Sequence, residues 1–168
     1  MSNFAQIVGG EVVTVVVASS ASVLDQTKTW VQVDTLSPEP GIGWGYNGSA
    51  FAAPAPPVPT LAQQAAAALG RGVAVTSSGT PALDGTYAID AASQAKIQAV
   101  SLFIVVNGKF PSAVASYPWL DTAGAAHLFP TTAEFQAFAT AIADYVAALD
   151  MIIATGSGTL PGEPVAIP

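Results

Sequence analysis

His127 is the only histidine of the chain, and it is the first residue whose type could support catalysis. Asp121 lies six positions earlier, and the run between them is typical of a turn that joins two short extended segments. A catalytic triad also needs a nucleophile, but the sequence has no Gly-x-Ser-x-Gly motif to present a serine. One histidine without cysteines is also too few for a zinc site. We therefore expect His127 and Asp121 to stabilise this turn or to contact a partner.

Asp84 and Asp90 flank Tyr87 and form a second pair that could do chemistry, since glycosidases use two carboxylates. The surrounding segment, however, has few aromatic residues to build a sugar cleft. Asp84 and Asp121 could supply oxygen ligands to calcium, but the Asp/Asn spacing of an EF-hand loop is absent. Gly41-Ile42-Gly43 is only superficially similar to a nucleotide-binding motif. We therefore expect a protein that is not an enzyme and needs no metal ion or cofactor.

The composition indicates an ordered protein with an unusually uncharged surface. Of the 168 residues, 51% are apolar and only 9% are charged, against about 25% charged residues in an average soluble domain. The net charge is −7 because 11 acidic residues face four basic ones, and no basic run occurs. This distribution disfavours nucleic-acid binding. A weakly charged surface is readily buried against protein partners.

Two features predict that the chain stays where it is synthesised. The start Met1-Ser2-Asn3-Phe4 lacks the basic region and the long apolar region of a secretory signal. The most apolar run, Ile97–Val106, is about half the length that spans a bilayer, and the later apolar segment carries Asp144 and Asp150. We therefore expect no membrane insertion.

We predict an α+β fold that begins with a β-hairpin module over residues 1–53. Residues 3–8 and 12–18 are rich in β-formers and flank a Gly-Gly pair, which is typical of a hairpin turn. A second hairpin is predicted around Asn47-Gly48. Its aromatic residues are expected to form a small core, with a ligand-stacking surface as the alternative; they are Trp44, Tyr46 and Phe51.

Four prolines in residues 54–59 predict an extended linker, because proline cannot occupy a helix interior or a central strand. A mainly helical module with short strands is predicted over residues 60–154. Its predicted elements are a helix over Leu61–Leu69 closed by Gly70, strands at Val73–Thr76 and after Leu83–Tyr87, and a helix over Ala91–Val106 that ends at Asn107-Gly108.

The last predicted helix has the clearest signals. It follows Pro130, and Thr131 and Glu134 have the spacing of a capping box. Apolar residues then recur at three- and four-residue steps and form one stripe: Phe135, Phe138, Ile142, Tyr145, Leu149 and Ile152. The Gly/Pro-rich tail, residues 155–168, has no such period. We expect it to be mobile unless a partner orders it.

Two aromatic segments resemble parts of bacteriophage tail-fibre and tail-fibre-assembly proteins. Gly43–Gly48, with Phe51 and Pro54, is similar to a Gly-Trp-x-Tyr-Asp/Asn-Gly-x-x-Phe-x-x-Pro pattern that closes the N-terminal β-module of such proteins. Pro118–Gly124, followed by His127, Phe129 and Phe135, is similar to a C-terminal tail-fibre domain of unknown function. Asn47 and Gly124 depart from the commonest residues of these patterns, and both tolerate positive φ.

The resemblance implies a structural component of a phage tail fibre or host-attachment apparatus. Such a protein is made in the bacterial cytoplasm, resides in the virion, and binds other tail subunits. A tail-fibre assembly chaperone that leaves the virion is one alternative, and a carbohydrate-binding receptor module for a host-surface glycan is another. We also expect an oligomer, since a β-module of about fifty residues without disulfides is marginal alone. The candidate contact residues are Trp44, Tyr46, Trp119, Asp121 and His127.

Overall fold

The structure is a computed structural model that describes residues 1–168, and it divides the chain into two units, Met1–Val58 and Pro59–Pro168. The junction lies inside the proline-rich segment predicted as a linker. Strands make up the regular structure of the first unit apart from one short 3-10 turn, and all three α-helices belong to the second. The predicted α+β class is confirmed.

The first unit is a five-stranded sheet with the strand order β3-β1-β2-β4-β5. Its strands are β1 (Ser2–Val8), β2 (Glu11–Ala18), β3 (Thr29–Gln32), β4 (Gly45–Tyr46) and β5 (Phe51–Ala52). Both predicted hairpins are confirmed, β1–β2 and β4–β5. The first turns through Gly9 and Gly10 at φ of 60° and 84°, a region that glycine enters without steric cost.

The pairing of β2 is uneven along its length. On one side it pairs with β1 along its length except at Val13, which bulges out between Thr14, opposite Gln6, and Val12, opposite Ile7. On the other side it pairs with β4 only at Glu11, and the backbone of Val12 bonds to Gly43 and Trp44. Val13–Ala18 has no strand on that side. Although β2 lies inside the strand order of the first sheet, the edge that faces β4 is unpaired over Val13–Ala18.

The core of the first unit is small. Its buried cluster consists of Ala5, Val12 and Val33. Partly buried side chains pack around these three residues: Ile7, Val15, Trp44 and Phe51. The predicted role of Trp44 and Phe51 in a hydrophobic core is confirmed. Tyr46 lies beside Phe51, with ring centroids 4.6 Å apart.

The second unit surrounds one long helix. Its helices are α1 (Leu61–Arg71), α2 (Ala91–Asn107) and α3 (Thr132–Thr155). Its strands are β6 (Val73–Ser77), β7 (Gly85–Tyr87), β8 (Tyr117–Leu120), β9 (Ala126–Phe129) and β10 (Val165–Ile167). β6 is the central strand of a three-stranded sheet, antiparallel to β7 and parallel to β10. β8 and β9 form a separate hairpin.

The start and the apolar stripe of α3 are as predicted. The Thr131 hydroxyl accepts a hydrogen bond from the Glu134 amide at 3.2 Å and donates to its carboxylate at 2.7 Å. All six residues of the predicted stripe are buried. By length and a mean hydropathy of 1.7, α3 also meets the criteria for a membrane-crossing helix. Eight of its residues are buried, whereas Met151 and Ile153 are exposed.

The predicted end of α1 was wrong. The helix continues through Gly70 to Arg71, and Gly72 follows it. Gly72 has φ of 88°, and a Cβ there would lie 2.6 Å from the carbonyl oxygen of Tyr87. Gly70 meets no such restriction. The helix therefore ends at the glycine that the backbone requires, two positions after the one that the sequence favours.

The expectation of a tail without structure of its own was also wrong. Val165–Ile167 forms β10, which pairs with Val75–Ser77, and Ile167 is buried in the main core. The Ser77 hydroxyl donates to the carbonyl of Pro168 at 2.7 Å. Glu163 accepts hydrogen bonds from the Tyr145 hydroxyl and from Arg71. The tail is thus held by its own chain, through a strand that lies between Pro164 and Pro168.

Candidate functional site

The β8–β9 hairpin brings His127 and Asp121 together, as the turn prediction anticipated. His127 lies opposite Trp119 in the hairpin, and Asp121 is the first residue of the turn. The imidazole Nε2 is 3.3 Å from Asp121 Oδ2, and Nδ1 is 2.7 Å from the carbonyl oxygen of Ala82. Both side chains are largely shielded from solvent, with 12% of each exposed. The contact ties the hairpin to the 3-10 turn Pro81–Leu83.

Both partners of the imidazole are hydrogen-bond acceptors, because a carbonyl and an ionised carboxylate carry no proton. Nδ1 must therefore donate to Ala82, and the ring donates to both partners only when it is protonated. A general base needs a free nitrogen near the proton that it removes. Neither nitrogen of His127 bonds a hydroxyl group. The geometry therefore favours a structural role for this pair.

Asp121 also organises the turn that follows it. Its Oδ1 accepts hydrogen bonds from the backbone amides of Ala123 at 2.9 Å and Ala125 at 2.7 Å. The Ala125 amide is the main reason that the pKa of Asp121 is lowered, and His127 adds to the effect. Hydrogen bonds to an ionised carboxylate favour the charged form. Gly85 leaves room for the imidazole, because a Cβ there would be 3.0 Å from its Nε2.

Asp84 and Asp90 do not form a catalytic pair. Asp84 Oδ1 accepts a hydrogen bond from the Ser77 amide at 2.7 Å, and Asp90 caps α2 by accepting from the Ser93 amide at 2.9 Å. Tyr87 between them is buried, and its hydroxyl donates to the Leu83 carbonyl at 2.6 Å. Burial raises the pKa of Tyr87, with the charges of Asp121 and Asp84 adding to it. These groups hold a turn and a helix start.

The acidic residues do not gather into a metal-binding cluster. No group of three or more histidine, aspartate or glutamate side chains lies close enough to hold one ion. Asp84 and Asp121, considered above as calcium ligands, each bind backbone amide donors through one carboxylate oxygen.

Trp44 and Tyr46 line an open groove of about 400 Å³ in the first unit. The indole of Trp44 packs on the small core, whereas the Tyr46 hydroxyl donates to the Gly48 carbonyl at 2.8 Å. The groove combines aromatic rings with amide and hydroxyl groups, a mixture typical of small-ligand sites. Its other lining residues are Val31, Gln32, Leu36, Ser37, Pro38, Pro40, Ser49, Ala50 and Phe51.

Trp119, the third aromatic candidate, packs inward in the second unit. Its ring centroid is 5.8 Å from that of Phe135 and 6.4 Å from that of Phe138. The side chain is partly exposed at the edge of this core. Trp119 is therefore an anchor of the hairpin, and part of its ring remains open to a partner.

Two exposed apolar surfaces were not predicted from the sequence. The outer face of the β8–β9 hairpin consists of Pro118, Leu120, Ala126 and Leu128, which are all exposed. The solvent side of α2 carries exposed Leu102, Val105 and Val106. The sequence pattern indicates both surfaces. Both faces of the hairpin are apolar apart from His127, and Leu102–Val106 has no polar residue. Large exposed apolar patches mark interaction sites.

Comparisons with protein-family models, with curated proteins and with solved structures find no match to this chain. The features that remain for a functional argument are therefore its own: apolar faces on both units, an aromatic groove, and titratable groups engaged in local structure.

Proposed function

We propose that this protein is a non-enzymatic structural component of a bacteriophage tail, held in the tail fibre or host-attachment apparatus by contacts with other tail subunits. The observation that carries the proposal is the amount of apolar surface that each unit leaves uncovered. In the second unit this surface lies on α2 and on the β8–β9 hairpin. In the first unit it lies along β2, where Val13 and Val17 are exposed.

The charge distribution supports an assembly role. Only 9% of the residues are charged, and charged groups are the most costly to remove from water when a surface is buried. The salt bridges Lys28–Asp25 and Arg71–Glu163 each join side chains within one unit. A protein of this kind gains stability when neighbouring subunits cover it.

The assignment to a phage tail is supported by the two aromatic segments that resemble tail-fibre proteins. In the structure each segment is a hairpin: Gly45–Tyr46 with Phe51–Ala52 in the first unit, and Tyr117–Leu120 with Ala126–Phe129 in the second. The second hairpin is followed directly by the long amphipathic helix that the resemblance also implies.

Mass spectrometry of purified particles tests this function. We expect peptides of this chain in DNA-filled particles of the phage whose genome encodes it, in a fixed ratio to known tail subunits. Peptides that are abundant in the lysate and missing from the particles would contradict the proposal and support the assembly-chaperone alternative. Immunogold labelling with an antibody against the chain would place it on the tail.

The aromatic groove favours glycan binding as a second candidate function. Sugars stack on aromatic rings, and Tyr46 and Trp44 offer them beside the polar groups of Gln32 and Ser49. A glycan array with the full chain tests this candidate. Tyr46→Ala should abolish any binding, whereas Tyr117→Ala in the other unit should not. Binding that survives Tyr46→Ala would exclude the groove as its site.

A further inference from the structure

We propose that the free edge of β2, residues Val13–Ala18, pairs with the same segment of a second copy of this chain. The pairing would be antiparallel about a two-fold axis and would join the first units of two chains through one hydrogen-bonded ladder. This inference rests on the proposed function as an assembly protein, but the two can fail separately. A chain that is monomeric in solution could still be found in phage particles.

The outer side of β2 has backbone groups without a partner in the chain. Each residue of a strand carries one amide donor and one carbonyl acceptor, and those that face outward need a partner or water. On the outer side of β2 the bonds to β4 and its preceding loop involve only the first two residues, Glu11 and Val12. No backbone bond from another segment reaches Val13–Ala18 on that side. At about 3.4 Å per residue this edge is roughly 20 Å long.

The edge is uncharged and rich in β-branched residues. Val13–Ala18 is Val-Thr-Val-Val-Val-Ala, which has no charge, no proline and no glycine. Proteins protect free edges with lysine, proline, bulges or a covering segment, and an exposed β-branched edge otherwise associates with another strand. The one bulge of this hairpin falls at Val13, the first residue of the segment, and Thr14–Ala18 continues in regular register. The edge therefore has the composition of a paired strand.

The uncharged edge is complementary to itself, which makes a second copy of this chain its partner. In an antiparallel pair with the two-fold axis at Val16, Val15 would lie opposite Val17 and Thr14 opposite Ala18, so that only uncharged residues face each other. The nearest charged residue, Glu11, is outside it. β4 already occupies the edge beside Glu11, and this would stop the partner strand there and fix the register. A self-complementary patch is what a two-fold interface requires.

Substituting one exposed valine of the edge tests the proposal. Val17 has 65% of its surface exposed, so Val17→Lys should leave the fold of the unit intact. In a two-fold pair it places two lysines at one strand junction, which should weaken dimerisation at least about tenfold. Val23→Lys is the matched control, because Val23 is 64% exposed and lies outside the sheet. Val17→Thr keeps a β-branched, uncharged edge and should dimerise.

Sedimentation velocity and amide hydrogen exchange on the full chain are the measurements. We expect a dimer for the wild type, for Val23→Lys and for Val17→Thr, with slow exchange in Val13–Ala18. Val17→Lys should dimerise at least about tenfold more weakly than the wild type, with faster exchange in that segment and unchanged exchange in α3. A wild-type monomer would overturn the proposal, and so would a Val17→Lys dimer as tight as that of the wild type. Loss of the dimer in both lysine variants would also overturn it, because charge alone would then explain the effect.

Discussion

The two units of this protein are stabilised in different ways. The first has five strands around a buried cluster of Ala5, Val12 and Val33, so most of its order comes from backbone pairing. The second buries a continuous cluster that includes Tyr87, Phe129 and the apolar stripe of α3. Apolar burial contributes about 25 cal/mol per Å². The large aromatic side chains therefore give the second unit a stability that the small core of the first cannot match.

This contrast teaches where each unit is sensitive to change. A unit with a large core loses stability when a buried side chain is truncated, but it keeps its fold if the remaining contacts are sufficient. A small sheet with little core depends on every buried residue and on whatever covers its edges.

The largest effect is expected from Phe138→Ala in the second unit. Phe138 is fully buried, and its ring centroid is 4.9 Å from that of Tyr87 and 5.0 Å from that of Phe129. Its truncation should lower the free energy of unfolding by about 3–5 kcal/mol. Urea unfolding of the full chain measures this loss, and amide exchange assigns it to the second unit. Met151→Ala, at a residue that is 64% exposed on the same helix, is the control.

Ile167→Ala should lower the free energy of unfolding of the second unit by about 2–5 kcal/mol. Ile167 is buried although it is the next-to-last residue of the sequence, because β10 pairs with β6. Urea unfolding measures the effect, with Ala166→Ser at the exposed neighbouring position as the control. A change no larger than that of the control would show that the tail does not contribute to the core.

Val12→Ala tests the first unit. Removing two methyl groups from a fully buried side chain should cost about 2 kcal/mol. This loss is smaller than that of Phe138→Ala, yet we expect it to cause greater amide exchange across β1 and β2, because the small core has few other contacts. Exchange of the β1 amides measures the outcome. Val8→Ala, at an exposed position of β1, should leave exchange unchanged.

Acid should weaken the second unit through Asp121 and Glu134. The pKa of Glu134 is lowered mainly by the Thr131 hydroxyl and then by Thr80, whose hydroxyl donates at 2.5 Å. The pKa of Asp121 is lowered mainly by the Ala125 amide. A carboxyl whose native pKa is depressed stabilises the fold above its unfolded pKa, about 3.9 for aspartate and 4.3 for glutamate.

This stabilisation should be complete above about pH 5 and should be lost as the pH falls through the native pKa values. The free energy of unfolding, measured with urea at a series of pH values below about 5, should therefore decrease as the pH falls. In Asp121→Asn and Glu134→Gln the pH dependence should be shallower, because one titrating group has been removed. An unchanged slope in both variants would show that these hydrogen bonds do not stabilise the ionised forms.

The smallest effect is expected from substitutions of His127 and Asp121, which should not change any hydrolytic activity. His127→Ala and Asp121→Asn should behave as the wild type towards host glycans and peptidoglycan, because both nitrogens of His127 are engaged in local hydrogen bonds. Product analysis of prolonged incubations is the measurement. A hydrolytic activity of the wild type that disappears in either variant would show that the protein is an enzyme.

Much of the fold could be predicted from local signals. The Gly9-Gly10 turn, the start of α3 and its apolar stripe depend on residues close in sequence. The end of α1 could not be predicted, because Gly72 is required by the distant carbonyl of Tyr87. The strand β10 was missed for the same reason. Its partner, β6, is far away in sequence, and three residues alone carry too little periodicity.

The candidate site divides in the same way. The proximity of Asp121 and His127 was predictable, since a short hairpin turn joins them. The bond from His127 to Ala82 was not, because it joins segments 45 positions apart. The free edge of β2 was also hidden, since a strand pattern does not show how many residues its neighbour covers. The edge is free because β4 is only two residues long and pairs with β2 only at Glu11.

The parallel pairing of β10 with β6 also sets an order in which the chain can fold during synthesis. Every strand pairing of the first unit lies within residues 2–52, so that unit can form while the ribosome is still adding the second. The second unit must wait, because Val165 pairs with Val75 across 90 positions of sequence. Until Ile167 leaves the ribosome, one edge of β6 lacks its partner. The nascent chain thus carries a finished sheet ahead of an unfinished core.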